Sequence, residues 1–308
     1  MKAYKSKKSG ENIIKTYDSL LRKWGIPVEE QMIKTCYGDT HIIVCGKEEG
    51  MPLVLFHGVG DDSAIMWIYN AKQLSEHFRL YAVDTIGGPG KSVMGKKYDK
   101  NFDDVMWIDE ILENLKLEKV SLAGVSHGGY LVQLYSLMRP DKVDKAICLA
   151  SSVPAKDSGS PMKTMIQIFL PEALFPTKRN IEKLIKKLSG DHYQVFTENL
   201  EIMEHYTYLL RGFNNMAMGY HKLKTFSSEE VDKIRNKVYY LVGLDDPFEK
   251  LGGKTALINA KMNVKFFEGV GHGINHEIFE EINDIIIKIM MEEVITINNT
   301  GNVATFSI

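Results

Sequence analysis

Cysteine is scarce in this chain: there are three in 308 residues, Cys36, Cys45 and Cys148, with no Cys-x-x-Cys pair and no metal-ligand spacing. That excludes a disulfide framework or a zinc ribbon as the source of stability, and an odd count points to free buried thiols in a reducing compartment. Long apolar runs are absent too. Nothing reaches the roughly 18 uninterrupted apolar residues of a membrane span, and the basic start, Met1 to Lys8, is not followed by the apolar stretch of a secretory signal. The expected location is the cytoplasm. Neither sign of charge dominates: 38 basic and 40 acidic residues leave a formal net charge of −2. Without a long basic run, neither nucleic acid nor an anionic membrane is an expected partner. No internal repeat appears, and nothing speaks for one oligomeric state over another. The length suits one large domain with an insertion, or two domains.

What is present is a glycine-rich turn around one serine. Val120-Ser121-Leu122 reads as a buried strand, Ala123-Gly124-Val125-Ser126-His127-Gly128-Gly129 follows, and Tyr130 to Met138 reads as a helix that stops before Pro140. Strand, Gly-x-Ser-x-Gly, helix is the setting of a nucleophile elbow, in which small residues two before and two after the serine let the backbone bend and expose the hydroxyl at the carboxyl end of a sheet. Such a serine is inert until a histidine takes its proton and an acid orients that histidine. Downstream, the strand-like run Lys237 to Val242 ends in Gly243-Leu244-Asp245-Asp246-Pro247, and the strand-like run Asn263 to Phe267 ends in Glu268-Gly269-Val270-Gly271-His272-Gly273. Asp245 or Asp246 and His272 thus follow strands, where a doubly wound sheet collects its site residues. An Asp-Asp-Pro turn or a Gly-His-Gly loop alone is ordinary turn chemistry; the order serine, acid, histidine is what carries the reading. Of the nine histidines, His276 is the nearby rival to His272, and it falls where a helix begins.

These motifs resemble the α/β-hydrolase superfamily, in its carboxylesterase-like branch with a helical lid between the sixth and seventh strands. The turn Asp84-Thr85-Ile86-Gly87-Gly88-Pro89-Gly90-Lys91-Ser92 resembles that family's Asp-x-x-Gly-x-Gly-x-Ser, one residue longer, and Glu277 five positions after His272 fits a frequent pattern. The resemblance covers residues 27 to 290. It implies an α/β fold with a mostly parallel eight-stranded sheet flanked by helices, and Ser126, Asp246 and His272 as the triad. Asp246 is preferred because the family's acid commonly lies three residues after the glycine that ends the strand. The strand Pro52 to Phe56 runs into His57-Gly58-Val59-Gly60, so the resemblance assigns the oxyanion hole to the amides of Val59 and His127, with His57 shaping the loop. No cofactor and no metal is implied, and the substrate is expected to be a small to medium, largely uncharged ester.

The domain reading follows: residues 1–26 an N-terminal helical segment, with apolar spacing from Glu11 to Trp24; 27–152 and 236–293 the core; 153–235 the helical lid; 294–308 a tail. The eight expected strands lie at 30–35, 41–45, 52–56, 79–83, 119–123, 144–149, 237–242 and 263–267, with Gly38-Asp39 as a hairpin turn between the first two. An apolar stripe from Val105 to Leu115 predicts a helix before the nucleophile strand. Phe169 and Phe213 are the lid aromatics expected to touch substrate. Two other classes compete with this reading. Gly90-Lys91-Ser92 could end a phosphate-binding loop, but Thr85 stands where its first glycine belongs, and no helical pattern follows. A hydrolase fold that only binds ligand is disfavoured because no triad position is substituted, whereas carbon–carbon hydrolysis and cofactor-free perhydrolysis would use the same triad.

Overall fold

Alternation of apolar residues builds the sheet. Ile43, Cys45, Leu53, Leu55, Ala123 and Val125 pack into one buried layer with Trp24, whereas Ile42, Val44, Val54, Phe56 and Leu122 pack into the opposite layer with Trp107. That is the two-residue period of strands covered on both faces. In this computed structural model the described residues are 2–154, 168–170, 172, 174–248, 253–291, 297–299 and 304–306.

The strands are β1 (Val28–Thr35), β2 (Gly38–Gly46), β3 (Met51–Phe56), β4 (Phe78–Val83), β5 (Val120–Val125), β6 (Val143–Leu149), β7 (Val238–Gly243) and β8 (Asn263–Phe267), in the order β1-β2-β4-β3-β5-β6-β7-β8. From β4 to β8 every neighbouring pair is parallel, and β2 is antiparallel to both β1 and β4. A ninth, two-residue strand, Val93–Met94, pairs with the start of β2. It was not expected, and it explains Gly38: a Cβ there would lie 2.1 Å from Val93 O. The β1–β2 turn is accordingly Cys36-Tyr37, with Thr35 opposite Gly38, rather than Gly38-Asp39. Because a strand follows Ser92, no helix opens there to bind phosphate.

The N-terminal helix is Lys7–Arg22, starting four residues before the periodicity suggests because Ser6 accepts from Ser9 N at 3.1 Å. Between β6 and β7 the named elements are helical, Lys178–Leu188, Gln194–Thr197, Leu200–Gly212, a 3₁₀ turn at Asn215–Met218, and Ser228–Ile234, and Phe213 makes an isolated antiparallel bridge to Tyr4. The N-terminal helix lies along Leu200–Gly212, tied by Lys5 N to Gly212 O (2.9 Å), Asn214 N to Ala3 O (2.8 Å) and Thr16 Oγ1 to His205 Nδ1 (2.7 Å). In the tail, Ile297–Asn299 and Ala304–Phe306 pair antiparallel. No helix among the described residues is long and apolar enough to cross a membrane.

Candidate active site

Ser126 joins β5 to the helix His127–Met138 with φ 55° and ψ −113°. Such a backbone costs a non-glycine residue about 1–3 kcal/mol and persists only when its surroundings dictate it. Here the Ser126 amide donates to Leu149 O at 2.8 Å and its carbonyl accepts from Tyr130 N at 3.1 Å. A Cβ on Gly124 would lie 2.2 Å from Gly128 O, and one on Gly128 would lie 2.2 Å from Phe56 O. The flanking glycines are therefore required by backbone contact. Ser126 Oγ makes no hydrogen bond among the described residues.

The loop after β3 closes on this turn. A Cβ at Gly58 would come 3.4 Å from Ser126 Cβ, so Val59 follows a residue in van der Waals reach of the serine. Buried His57 shapes that loop, as expected: its Nδ1 donates to Gly58 O (2.8 Å) and its Nε2 accepts from Thr85 N (2.9 Å). Burial lowers its pKa, which suits the neutral ring these two bonds need. Among the described residues neither the Val59 nor the His127 amide has a protein acceptor; His127 has none because it opens a helix. Behind these loops Asp84, fully buried, accepts from Ser63 N, Lys91 N and His41 Nδ1, and Ser92 Oγ donates to Asp84 O. The Asp-to-Ser turn is thus a clasp between the β3 and β4 loops.

At the ends of β7 and β8, Asp246 Oδ2 accepts from His272 Nδ1 at 2.7 Å, and Asp246 Oδ1 accepts from Phe248 N at 2.8 Å. Asp245 is exposed, and among the described residues only its amide is engaged, to Val270 O. His272 Nε2 has no partner among the described residues. Burial disfavours the His272 imidazolium, but the charge and hydrogen bond of Asp246, with Asp61 behind it, outweigh burial and hold its pKa above the ordinary value. The loop itself is pinned: His272 N donates to Leu188 O (2.6 Å), and the Glu277 carboxylate accepts from Gly190, Gly271 and Gly273 amides at 2.8, 3.1 and 3.1 Å. Ser126, Asp246 and His272 thus all follow carboxyl ends of parallel strands.

A profile of the alpha/beta hydrolase fold matches residues 51–277. The chain belongs to that family. This α/β hydrolase is 32% identical over 191 residues to carboxylesterase YbfK of Bacillus subtilis (strain 168), a match spanning 61% of each chain. It is 26% identical over 296 residues to the uncharacterized carboxylesterase nap of the same organism, covering 92% of this chain and 94% of the other. Among solved structures, naproxen esterase (carboxylesterase NP) from Bacillus subtilis superposes with a TM-score of 0.80 at 22% identity, over 93% of this chain and 99% of that one. The protein is a carboxylesterase-like α/β hydrolase.

Phe213 is 2% exposed and packs with Ile13, Leu209 and Met218 against the N-terminal helix, so it is a packing residue and not a pocket wall. The residue reads as a lid aromatic only because its partner, Ile13, is 200 positions away (213 − 13). Phe169 is half-buried. His276 lies in the short helix Ile274–Glu277, where its Nε2 bonds Ile65 O at 2.9 Å and burial pushes its pKa down to about 4, which removes it as a rival base.

Asp104, His127 and His221 each bring one donor atom within 4.8 Å of the others. His221 Nδ1 lies 2.5 Å from Asp104 Oδ1, and Nε2 lies 2.7 Å from Ile86 O. Both nitrogens of His221 thus have oxygen partners within hydrogen-bond distance. The His221 ring meets the His127 ring edge-on at 5.2 Å, and His127 Nε2 is buried without a hydrogen-bond partner among the described residues. The sequence gives no sign of the setting of Asp61, two positions past Val59. Its Oδ1 is buried without a hydrogen-bond partner.

Proposed function

We propose that the hydrolase cleaves a small to medium, largely uncharged carboxylic ester through Ser126, His272 and Asp246. His272 Nε2 takes the Ser126 hydroxyl proton as Oγ attacks the ester carbonyl, and the same proton then passes to the departing alcohol. Asp246 keeps the imidazole in the tautomer that leaves Nε2 free and stabilises the imidazolium that forms. The amides of Val59 and His127 receive the oxyanion. Water, activated by His272, releases the acid from Ser126. One observation carries this reading: a histidine held at one nitrogen by a buried carboxylate and uncommitted at the other, at the sheet end that also carries a strained serine with a free hydroxyl. The carboxylesterase names of the relatives support the ester class.

The helical segment between β6 and β7 acts as the lid in this proposal, with Phe169 among its substrate contacts. Exposure to a fluorophosphonate probe should label Ser126, and Ser126→Ala should abolish labelling and cost several orders of magnitude in turnover of p-nitrophenyl esters. An unlabelled Ser126, with no turnover at any acyl length, would place the protein among ligand-binding relatives of the fold.

A further inference from the structure

The side chain of His272 is held less completely than its backbone. The His272 amide donates to Leu188 O at 2.6 Å, and the Gly271 and Gly273 amides on either side donate to Glu277. The imidazole itself has one hydrogen bond among the described residues, Nδ1 to Asp246 Oδ2 at 2.7 Å. One bond leaves a ring able to roll about the line joining the two bonded atoms, and a roll displaces Nε2. The second constraint is aromatic: the Phe248 ring lies against the imidazole, centroids 4.6 Å apart and planes at 45°. The same carboxylate places it there, because the Phe248 amide donates to Asp246 Oδ1 at 2.8 Å while Oδ2 holds the histidine. Asp246, Phe248 and His272 thus form a closed unit in which each touches the other two. Phe248 is half-buried and the His272 side chain keeps 19% of its surface open, so both reach solvent. Aromatic rings also meet His276 and His221, at 5.0 and 4.8 Å, but those imidazoles are buried and bonded to the carbonyls of Ile65 and Ile86, which already orient them.

We infer that Phe248 is a positioning residue for His272: its ring fixes the roll of the imidazole and stabilises the imidazolium that forms when Nε2 takes the Ser126 hydroxyl proton. This rests on the ester reading, because the ring matters to the chemistry only if His272 is the base. Two physical effects support it. A misplacement of about 1 Å in a reacting group can cost about a hundredfold in rate, so a second constraint on a singly bonded ring has a kinetic consequence. A cation within about 6 Å of a phenyl ring is also attracted by the ring's quadrupole, which favours the charged imidazole over the neutral one. The charged groups that face the imidazole are Asp246 after β7, Asp61 on the oxyanion loop and Glu277 at the end of the short helix that follows, all favouring the imidazolium against burial. Phe248 adds to them without a charge of its own, and it acts through His272 rather than on the ester.

The test measures kcat, KM and the pH dependence of kcat/KM on p-nitrophenyl butyrate in wild type, Phe248→Tyr, Phe248→Leu and Phe248→Ala, with a urea midpoint for each. Phe248→Ala should lower kcat by about ten- to a hundredfold with little change in KM, and Phe248→Tyr, which keeps the ring, should recover most of that loss. Phe248→Leu keeps an apolar cover without the aromatic face, so the acid limb of its kcat/KM profile should move to lower pH by about half a unit. That limb is the reading a merely structural role would not move, and it remains available through Phe248→Leu even if Phe248→Ala does not fold. Wild-type kcat in Phe248→Ala, a loss confined to KM, or a limb that stays in place or rises in Phe248→Leu overturns the inference while wild-type turnover leaves the ester reading standing. Absence of fluorophosphonate labelling and of turnover in wild type overturns both.

Discussion

His205 and His272 each lie against a buried aspartate, 2.8 Å from Asp62 and 2.7 Å from Asp246. In the seam between the N-terminal helix and the helical segment, the other nitrogen of His205 meets Thr16 Oγ1 at 2.7 Å, and the ring is fully buried. At the carboxyl end of the sheet the other nitrogen of His272 is uncommitted, and the side chain keeps 19% of its surface open. His41, between Asp84 and Glu30, and His221, between Asp104 and Ile86 O, repeat the first pattern. A histidine paired with an acid is thus a common structural brace in this molecule. What separates chemistry from bracing is the spare nitrogen, which a neutral imidazole needs if it is to accept a proton.

The comparison breaks most visibly at the two histidines themselves. His272→Gln should lower turnover about 10⁴-fold or more with little change in melting temperature. His205→Gln should do the reverse: disturbing a buried hydrogen bond to Asp62 costs about 1–3 kcal/mol, read as an early denaturant midpoint, while turnover per folded molecule persists. Asp246→Asn should cost about 10⁴-fold by admitting the wrong tautomer, whereas exposed Asp245→Asn should leave turnover nearly unchanged. A larger loss from Asp245→Asn would overturn the assignment. Glu277→Gln, which weakens an acceptor for three amides, should destabilise by about 1–3 kcal/mol in a urea titration and lower kcat without shifting chain-length preference. Truncating Phe169 should shift chain-length preference by about 1–3 kcal/mol per methylene lost or gained; identical profiles would place selectivity elsewhere.

The smallest effect is in pH. Because the His272 pKa is raised, the inactive protonated form persists above the ordinary value of 6.5, so kcat/KM should climb through a limb lying above 6.5. Removing the Asp61 charge in Asp61→Asn should move that limb to lower pH. Stability runs the other way. A raised folded-state pKa contributes fully below the unfolded value and is lost as pH rises through the folded one. The melting-temperature difference between wild type and His272→Gln should therefore shrink across the same interval in which activity appears.

The elbow was legible in the sequence because its pattern is local: Gly124 meets Gly128 four residues on, although Gly128 also rests against Phe56 O of a strand distant in sequence. The sheet was legible for a related reason, since two-residue alternation and turn residues repeat at every strand. That Asp246 and His272 both follow strand ends was legible through their order in the sequence; that they pair is a finding of the structure. The features that escaped depend on contacts with no local signature. Phe213 meets Ile13, Asp62 meets His205 143 positions on, and the short strand Val93–Met94 displaces the hairpin turn at Gly38. Asp61 reads as turn chemistry next to Asp62, and only the fold reveals which of the two carboxyls has been left without a partner.

The stitching between residues 188–191 and 269–277 also limits how this scaffold can be re-engineered. Gly190 sits so close to the histidine loop that a Cβ there would lie 2.1 Å from Gly269 O, and Asp191 N donates to the same carbonyl at 2.7 Å. Transplanting the helical segment from a relative to change selectivity would therefore replace half of the support for the His272 loop, the proposed base. A chimera whose crossover falls at the strand ends alone would inherit a mismatched seam and a misaimed imidazole, whatever its new pocket could bind. Crossovers that carry 188–191 and 269–277 together as one cassette would keep the base in register while the pocket changes around it.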